Sequence, residues 1–216
     1  MFTAILATAV VAAEPTRNLQ DVFSTYDYPE AELRDDHGGT VGYRLLVSDK
    51  GMPTGCEVMY STRWKALDIR SCAVLIVRAR FKPALDSAGR AVPGIFSGRV
   101  TWSVPGRRTI GSTDAPDSDL TVNLASMPKG IRSPAVAVVA FAVDTKGSAS
   151  DCTPMMPSDV RPKDLKSEQL IRDKLGRTAC SQILQTLKFR PMSDEQGQPI
   201  VSIQTARVSF EAAAQR

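Results

Sequence analysis

The sequence predicts an α+β protein built from two tandem modules, each a β-β-α-β unit whose three-stranded antiparallel sheet packs on one helix. Strand-like and helix-like periodicities follow one another in this order, and the two halves of the chain repeat one another. With 216 residues, of which 43% are hydrophobic and 23% charged, the chain has the length and composition of one large or two small globular domains.

The first half shows the elements of one module in order. Val41, Tyr43, Leu45 and Val47 alternate with other positions, which predicts a strand with one buried face. Gly51 then supplies a turn, because glycine tolerates a positive φ. A returning strand follows, with Cys56, Val58 and Tyr60 on one face.

A helix and a third strand complete this module. Residues 65–80 predict a helix whose apolar positions Leu67, Val74 and Val77 recur at helical spacing and continue to Phe81. Residues 92–104 predict the strand. Its buried side is formed by Val92, Phe96, Val100, Trp102 and Val104, with Gly94 and Gly98 as gaps in that face.

The second half repeats the first at two offsets. The stretch 47–56 matches 143–152 at a shift of 96, and from the helix onward Cys72 matches Cys180 and Trp102 matches Phe210 at a shift of 108. One insertion at 154–165 explains the difference. The predicted organisation is therefore a first module at 20–105, a polar linker at 106–125 and a diverged second module at 126–213.

Four cysteines are present: Cys56, Cys72, Cys152 and Cys180. Their wide spacing and the single histidine argue against a zinc site, and no pattern for another metal or cofactor is present. In each module one cysteine lies on the returning strand and the other on the covering helix, which predicts the disulfides Cys56–Cys72 and Cys152–Cys180. Four buried thiols remain the alternative.

Residues 1–13 predict a secretory signal peptide. Residues 2–13 are apolar and rich in small side chains, and Val11-Ala12-Ala13 is typical of a cleavage site, although no basic residue precedes the apolar stretch. Cysteines paired as disulfides agree with export. The alternative is that this segment forms the first buried element of the domain.

The composition argues against two classes of partner. The net charge of +4 is spread along a chain with only 6% aromatic residues, so nucleic-acid binding is not expected. No apolar run reaches the roughly 18–20 residues of a membrane-spanning helix.

Asp114, Asp117 and Asp119 lack the glycine and glutamate of a calcium loop and are expected to belong to a solvated linker.

Catalysis is not predicted, and no catalytic residue is assigned. His37 is the only histidine, and it lies in a polar stretch where Asp35 or Asp36 is the candidate for orienting its ring. No GxSxG or other nucleophile motif is present. A solvated loop histidine is therefore favoured over a hydrolase that uses His37.

Several short motifs, in this order and spacing, resemble the TonB carboxyl-terminal domain family. Tyr28-Pro29-Glu30-Ala31 resembles the family's start of a short helix, and Gly39-Thr40-Val41 with residues 47–51 resembles its first strand and turn. Ser61, Leu67-Asp68, residues 80–84, Gly89 and Val92 resemble its helix and the exit into the last strand. The second half keeps Gly147 and Phe189-Arg190-Pro191 but lacks the Tyr-Pro start.

The resemblance implies a non-enzymatic periplasmic module that binds envelope proteins, among them outer-membrane TonB-dependent transporters, by adding an extended segment to a sheet edge. Energy transduction would require a membrane helix and a spacer from an upstream segment. The candidate edge comprises Gly94, Ile95, Phe96, Ser97, Gly98, Arg99, Val100 and Thr101. Two alternatives stay open: an edge that pairs with itself in a homodimer, and a structural protein whose modules cap each other's edges and bind no ligand.

Overall fold

A computed structural model describes residues 9–104, 106, 108, 110–111, 118–157, 162–186, 188–194 and 196–213. The chain forms two compact units. Of the described residues, those within 13–83 and 93–115 form the N-terminal unit, and those within 1–12, 84–92 and 116–216 form the C-terminal unit. Both contain helix and sheet, so the α+β class is confirmed.

The N-terminal unit contains a sheet of three antiparallel strands: β1 (Gly39–Val47), β2 (Pro53–Tyr60) and β3 (Gly94–Trp102). β1 lies between the other two and pairs with both. Its side chains at positions 41, 43, 45 and 47 are all buried, as their alternation predicts. One face of the sheet therefore carries the core of this unit.

The turn between β1 and β2 is fixed by main-chain geometry. Gly51 has a φ of +75°, and a Cβ atom built there would lie 2.0 Å from the carbonyl oxygen of Phe81. The N–H of Phe81 donates to the carbonyl oxygen of Gly51 at 3.0 Å. Only glycine fits this close approach, so the predicted turn residue is structurally required.

Two helices accompany this sheet. Helix α1 (Glu30–Arg34) precedes β1, and α2 (Lys65–Arg78) follows β2. The predicted helix ran on to Arg80, but Ala79 is already extended. Leu67 and Val74 of α2 are buried, whereas Val77 is 67% exposed. The predicted apolar face was wrong there: Leu75 is buried instead, and Val77 lies about 200° around the helix from it.

The C-terminal unit has a four-stranded sheet and one long helix. Its elements are β4 (Leu120–Leu124), β5 (Ala135–Val143), β6 (Ala149–Met155), α3 (Leu165–Thr186) and β7 (Ser202–Ala212). Within this unit the strand order is β6-β5-β7-β4. The core is built mainly from β5, β7 and α3 and includes Phe141, Leu175, Ile183, Val208 and Phe210.

Strand β4 departs from the predicted architecture. The sequence places residues 106–125 in a polar linker, but Leu120–Leu124 pairs with Val208–Ala212 of β7. This pairing is parallel, whereas β5, β6 and β7 pair antiparallel. Of the three aspartates assigned to a solvated linker, Asp119 bonds the main chain of Arg207, and Asp114 and Asp117 lie outside the described residues.

Both predicted disulfides are confirmed. Cys56–Cys72 joins β2 to α2, and Cys152–Cys180 joins β6 to α3, with a Cα–Cα distance of 5.5 Å in each. The described residues contain no free cysteine. Each bridge fastens a sheet to the helix that covers it, so the alternative of buried thiols is wrong.

The described part of the amino-terminal segment is packed. Val10, Ala12 and Ala13 are 2–5% exposed, and Val11 forms an antiparallel bridge with Leu85. These contacts agree with the alternative interpretation of a first buried element. Residues 1–8, most of the predicted signal peptide, lie outside the described residues.

The remaining elements are short. The strands of two residues are Glu14–Pro15, Phe81–Lys82, Ala84–Leu85, Ala91–Val92, Met192–Ser193 and Pro199–Ile200. The 3₁₀ turns are Leu19–Val22, Thr25–Asp27 and Pro162–Asp164.

Candidate functional site

The candidate edge, residues 94–101, lies in β3. Every residue of β3 is paired with β1, from Gly94 opposite Val47 to Trp102 opposite Gly39, without a register shift. In a regular antiparallel strand, alternate residues turn their N–H and C=O groups to opposite sides. The amide of Thr101 points away from β1, since it donates to a side chain on the far side. The main chain of Ile95, Ser97 and Arg99 therefore faces the same way.

One side chain of the same unit caps this edge. The N–H of Thr101 donates to Oε1 of Gln20 at 3.4 Å. Gln20 lies in the 3₁₀ turn Leu19–Val22, and its own N–H donates to the Asn18 carboxamide at 2.9 Å. Within this unit, β3 pairs with β1.

A buried carboxylate anchors the segment that carries Gln20. Asp27 has a side chain only 1% exposed, and it accepts hydrogen bonds from Arg70 at 2.5 Å and Arg78 at 2.6 Å. Ser24 donates to the same carboxylate through its N–H and its hydroxyl. Both arginines belong to α2, so this cluster fastens residues 24–27 to the helix.

The charge of Asp27 is stabilised by these contacts. Burial alone raises the pKa of a carboxyl group, but the hydrogen bonds from Arg78, Ser24 and Arg70 outweigh burial and hold the pKa of Asp27 well below its usual range. Arg78 also donates to the carbonyl oxygen of Val22, within two residues of Gln20. The cap on the edge is therefore held by an ionised cluster.

Aromatic packing supports the edge from the core side. Trp102 at the end of β3 is 5% exposed, and its Nε1–H donates to the hydroxyl of Ser71 on α2 at 2.8 Å. Phe23 and Tyr28 contact its ring edge to face, at centroid distances of 5.4 Å and 5.1 Å. These contacts fix the strand that carries the edge.

The two predicted glycine gaps differ in their surroundings. A Cβ at Gly98 would lie 2.7 Å from the hydroxyl of Tyr43, so the gap accommodates the tyrosine side chain. Burial raises the pKa of the Tyr43 hydroxyl above its ordinary value. Gly94 lies opposite Val47 at the far end of the strand.

His37 is engaged in local structure rather than solvated, so that expectation was wrong. Its ring stacks on Trp64 with centroids 3.3 Å apart, and Nδ1 lies 2.6 Å from Glu32. Glu32, not Asp35 or Asp36, is thus the carboxylate that orients the ring. The indole of Trp64 also donates to the carbonyl oxygen of Ile110, which links residues distant in sequence.

Within the part of the chain that the structure describes, no group of three or more His, Cys, Asp and Glu side chains is placed to hold a metal ion. No described helix is long and apolar enough to cross a membrane.

Sequence reasoning missed the residues that hold the cap. Gln20 and Asp27 lie outside the recognisable strands, and Asp27 bonds arginines 43 and 51 positions away. One signal was available: Arg70 and Arg78 are eight residues apart on a predicted helix, close to two turns, and so lie on similar sides of it. Two such arginines predict an acidic partner but do not identify it.

Comparison with known families identifies part of the chain. Residues 25–104 match the family described as Gram-negative bacterial TonB protein C-terminal. Residues 105–216 lie outside this match, and neither a curated protein nor a solved structure matches the chain. Residues 25–104 are therefore similar to the TonB C-terminal domain, and this similarity covers β1, β2, α2 and β3 with the whole candidate edge.

Proposed function

We propose that the N-terminal unit is a periplasmic, non-enzymatic module that binds an extended segment of an envelope protein along β3. The observation that carries the proposal is the family match over residues 25–104. Within this unit β3 is a regular strand that pairs with β1 along its whole length, and extended peptides bind proteins by pairing with the last strand of a sheet. Outer-membrane transporters are the partners that the family similarity favours.

The packing around β3 supports this use of the strand. A strand whose position is already fixed loses little conformational entropy when a peptide binds to it. Fixing β3 in advance therefore favours binding. Here α2 holds β3 through the Trp102–Ser71 hydrogen bond, and the Cys56–Cys72 bridge holds α2 to the sheet. Two disulfides also favour an oxidising compartment such as the periplasm.

We infer further that the C-terminal unit is a diverged copy of the N-terminal one. Gly147 corresponds to Gly51 and has the same role: its φ is +80°, and a Cβ there would lie 2.2 Å from the carbonyl oxygen of Phe189. The N–H of Phe189 donates to the carbonyl oxygen of Gly147 at 3.0 Å, as Phe81 does to Gly51. The two disulfides also join equivalent elements.

The binding proposal is tested by site-specific photo-crosslinking of the full chain in the periplasm of a Gram-negative host. One variant carries p-benzoylphenylalanine at Ser97 of β3, and the control carries it at Met59 of β2, which is also exposed. We expect the Ser97 variant to form adducts with outer-membrane transporters, mapped by mass spectrometry to a periplasm-facing extended segment. The Met59 variant should form none of these adducts.

Three results would overturn the proposal. Absence of any Ser97 adduct with another protein would show that the edge has no partner in the envelope. Adducts confined to the chain itself would support the structural alternative. Adducts between two copies would support self-pairing in a homodimer.

A further inference from the structure

A short segment of the C-terminal unit lies on β7 as an added strand. Leu120–Leu124 pairs in parallel with Val208–Ala212, next to strands that otherwise pair antiparallel. Antiparallel neighbours follow one another through short turns, whereas a parallel neighbour has to be brought in by a longer connection. Strand β4 is thus an addition to the β5-β6-β7 sheet.

Both ends of this segment are fastened to β7 by hydrogen bonds. At its start, the Asp119 N–H donates to the carbonyl oxygen of Arg207 and the Asp119 carboxylate accepts from the N–H of Arg207, each at 2.8 Å. At its end, the N–H of Ala213 donates to the carbonyl oxygen of Leu124 at 2.8 Å. A carboxylate therefore fixes the register at the first residue.

The side chains of the segment alternate between the core and solvent. Leu120, Val122 and Leu124 pack against the core of the unit and are partly buried, whereas Thr121 and Asn123 are exposed. Neither β4 nor Asp119 contains a fully buried side chain. The segment therefore covers the sheet edge without being part of the interior.

We propose that Asp119–Leu124 is a built-in peptide ligand, which occupies a strand-binding site on β7. The site is the edge formed by Arg207–Ala212 with the apolar surface beside it. Its ligand is an extended peptide in parallel orientation, with an acidic residue opposite Arg207 and an apolar side chain at every second position after it. This inference concerns a different strand from β3 and does not rest on the function proposed above.

The test measures whether the site accepts the same peptide from solution. A fluorescein-labelled peptide with the sequence of residues 118–125 is titrated with the full chain and followed by fluorescence anisotropy. The Val122→Pro variant weakens β4, because proline lacks the N–H and has a restricted φ. We expect this variant to bind the peptide at least tenfold more tightly than the unmodified chain.

Two controls define the specificity. Ser126→Pro places the same residue just beyond β4 and should leave peptide binding as in the unmodified chain. A peptide of the same composition in scrambled order should not bind the Val122→Pro variant. Equal binding of both peptides, or no gain in binding by a variant that keeps its near-ultraviolet circular dichroism, would overturn the proposal.

A second measurement applies even if Val122→Pro does not fold. Thr121 and Ser209 are paired across β4 and β7, so Thr121→Cys with Ser209→Cys places two cysteines on adjacent strands. Closing this disulfide should slow hydrogen exchange of the Arg207 amide at least tenfold relative to the chain without the two substitutions. Unchanged exchange would show that β4 does not leave β7, and would overturn the proposal.

Discussion

The last strands of the two units, β3 and β7, share a sequence pattern but differ in what their own unit places beside them. Val100 and Trp102 correspond to Val208 and Phe210, and all four are buried. Within the N-terminal unit, the main chain of β3 donates from the Thr101 N–H to Oε1 of Gln20. Within the C-terminal unit, β7 receives a five-residue strand.

In each unit a segment that precedes the first antiparallel strand contacts the last strand, through a side chain in one and through a paired strand in the other. In both units an aspartate sets the arrangement, but by different means. Asp27 is buried against α2 and positions a turn, whereas Asp119 bonds the main chain of β7 directly.

The largest effects on the free energy of unfolding are expected from removing the disulfides. Removing each in turn tests whether the two units depend equally on their bridge. The chain-entropy relation gives about 3 kcal/mol for the separation of 16 residues between Cys56 and Cys72, and about 3.6 kcal/mol for the 28 residues between Cys152 and Cys180. We expect Cys152→Ser with Cys180→Ser to cost slightly more than Cys56→Ser with Cys72→Ser.

The measurement is guanidinium-induced unfolding with two probes. Trp64 and Trp102 are the only tryptophans and lie in the N-terminal unit, so fluorescence reports on that unit. Far-ultraviolet circular dichroism includes α3, the longest helix described. A loss of less than about 1 kcal/mol from either pair would contradict the entropic account.

A smaller effect is expected from Asp27→Asn, which tests whether the ionised cluster holds the cap on β3. Removing one partner of a buried ion pair costs about 3–5 kcal/mol, and exposure of Arg70 and Arg78 near 40% reduces this to about 2 kcal/mol here. The matched control is Glu14→Gln, which breaks the exposed pair with Lys82 and should change stability by less than about 0.5 kcal/mol.

The same cluster predicts a pH dependence of stability. Because the pKa of Asp27 is lower in the folded chain than in the unfolded one, its contribution is present above about pH 4 and is lost as the pH falls further. Unfolding midpoints between pH 2 and pH 6 should therefore fall less steeply with acid in Asp27→Asn than in the unmodified chain. Parallel curves would contradict this assignment.

Local periodicity predicted the strands and helices of each unit, whereas contacts between residues distant in sequence could not be predicted from it. The alternation of β1 and the strand-to-helix order were sufficient to pair the cysteines correctly. Strand β4 also alternates, as Leu120, Val122 and Leu124 with Thr121 and Asn123, but five residues beside a polar stretch resembled a linker. Its parallel partner lies 88 residues onward, and no local pattern identifies it.

The stacking of His37 on Trp64 was unpredictable for a related reason. A histidine in a run of acidic residues and glycines is typical of a solvated turn. The ring position depends instead on Trp64, 27 residues later, and on Ile110, whose main chain bonds Gly38 and Trp64. The sequence indicates a turn at His37 but does not identify the residues that contact its ring.

The smallest effect is expected from Gln20→Ala, which removes the cap from β3 and sharpens the contrast with β7. The hydrogen bond at 3.4 Å is long, so its loss should cost about 0.5 kcal/mol and accelerate hydrogen exchange of the Thr101 amide about twofold to threefold. Gln20→Glu is the matched control: it keeps the accepting oxygen and should keep the protection. If Gln20→Ala left exchange at Thr101 unchanged, the amide would owe its protection to a group other than this side chain. The contrast between β3 and β7 would then be smaller than this hydrogen bond indicates.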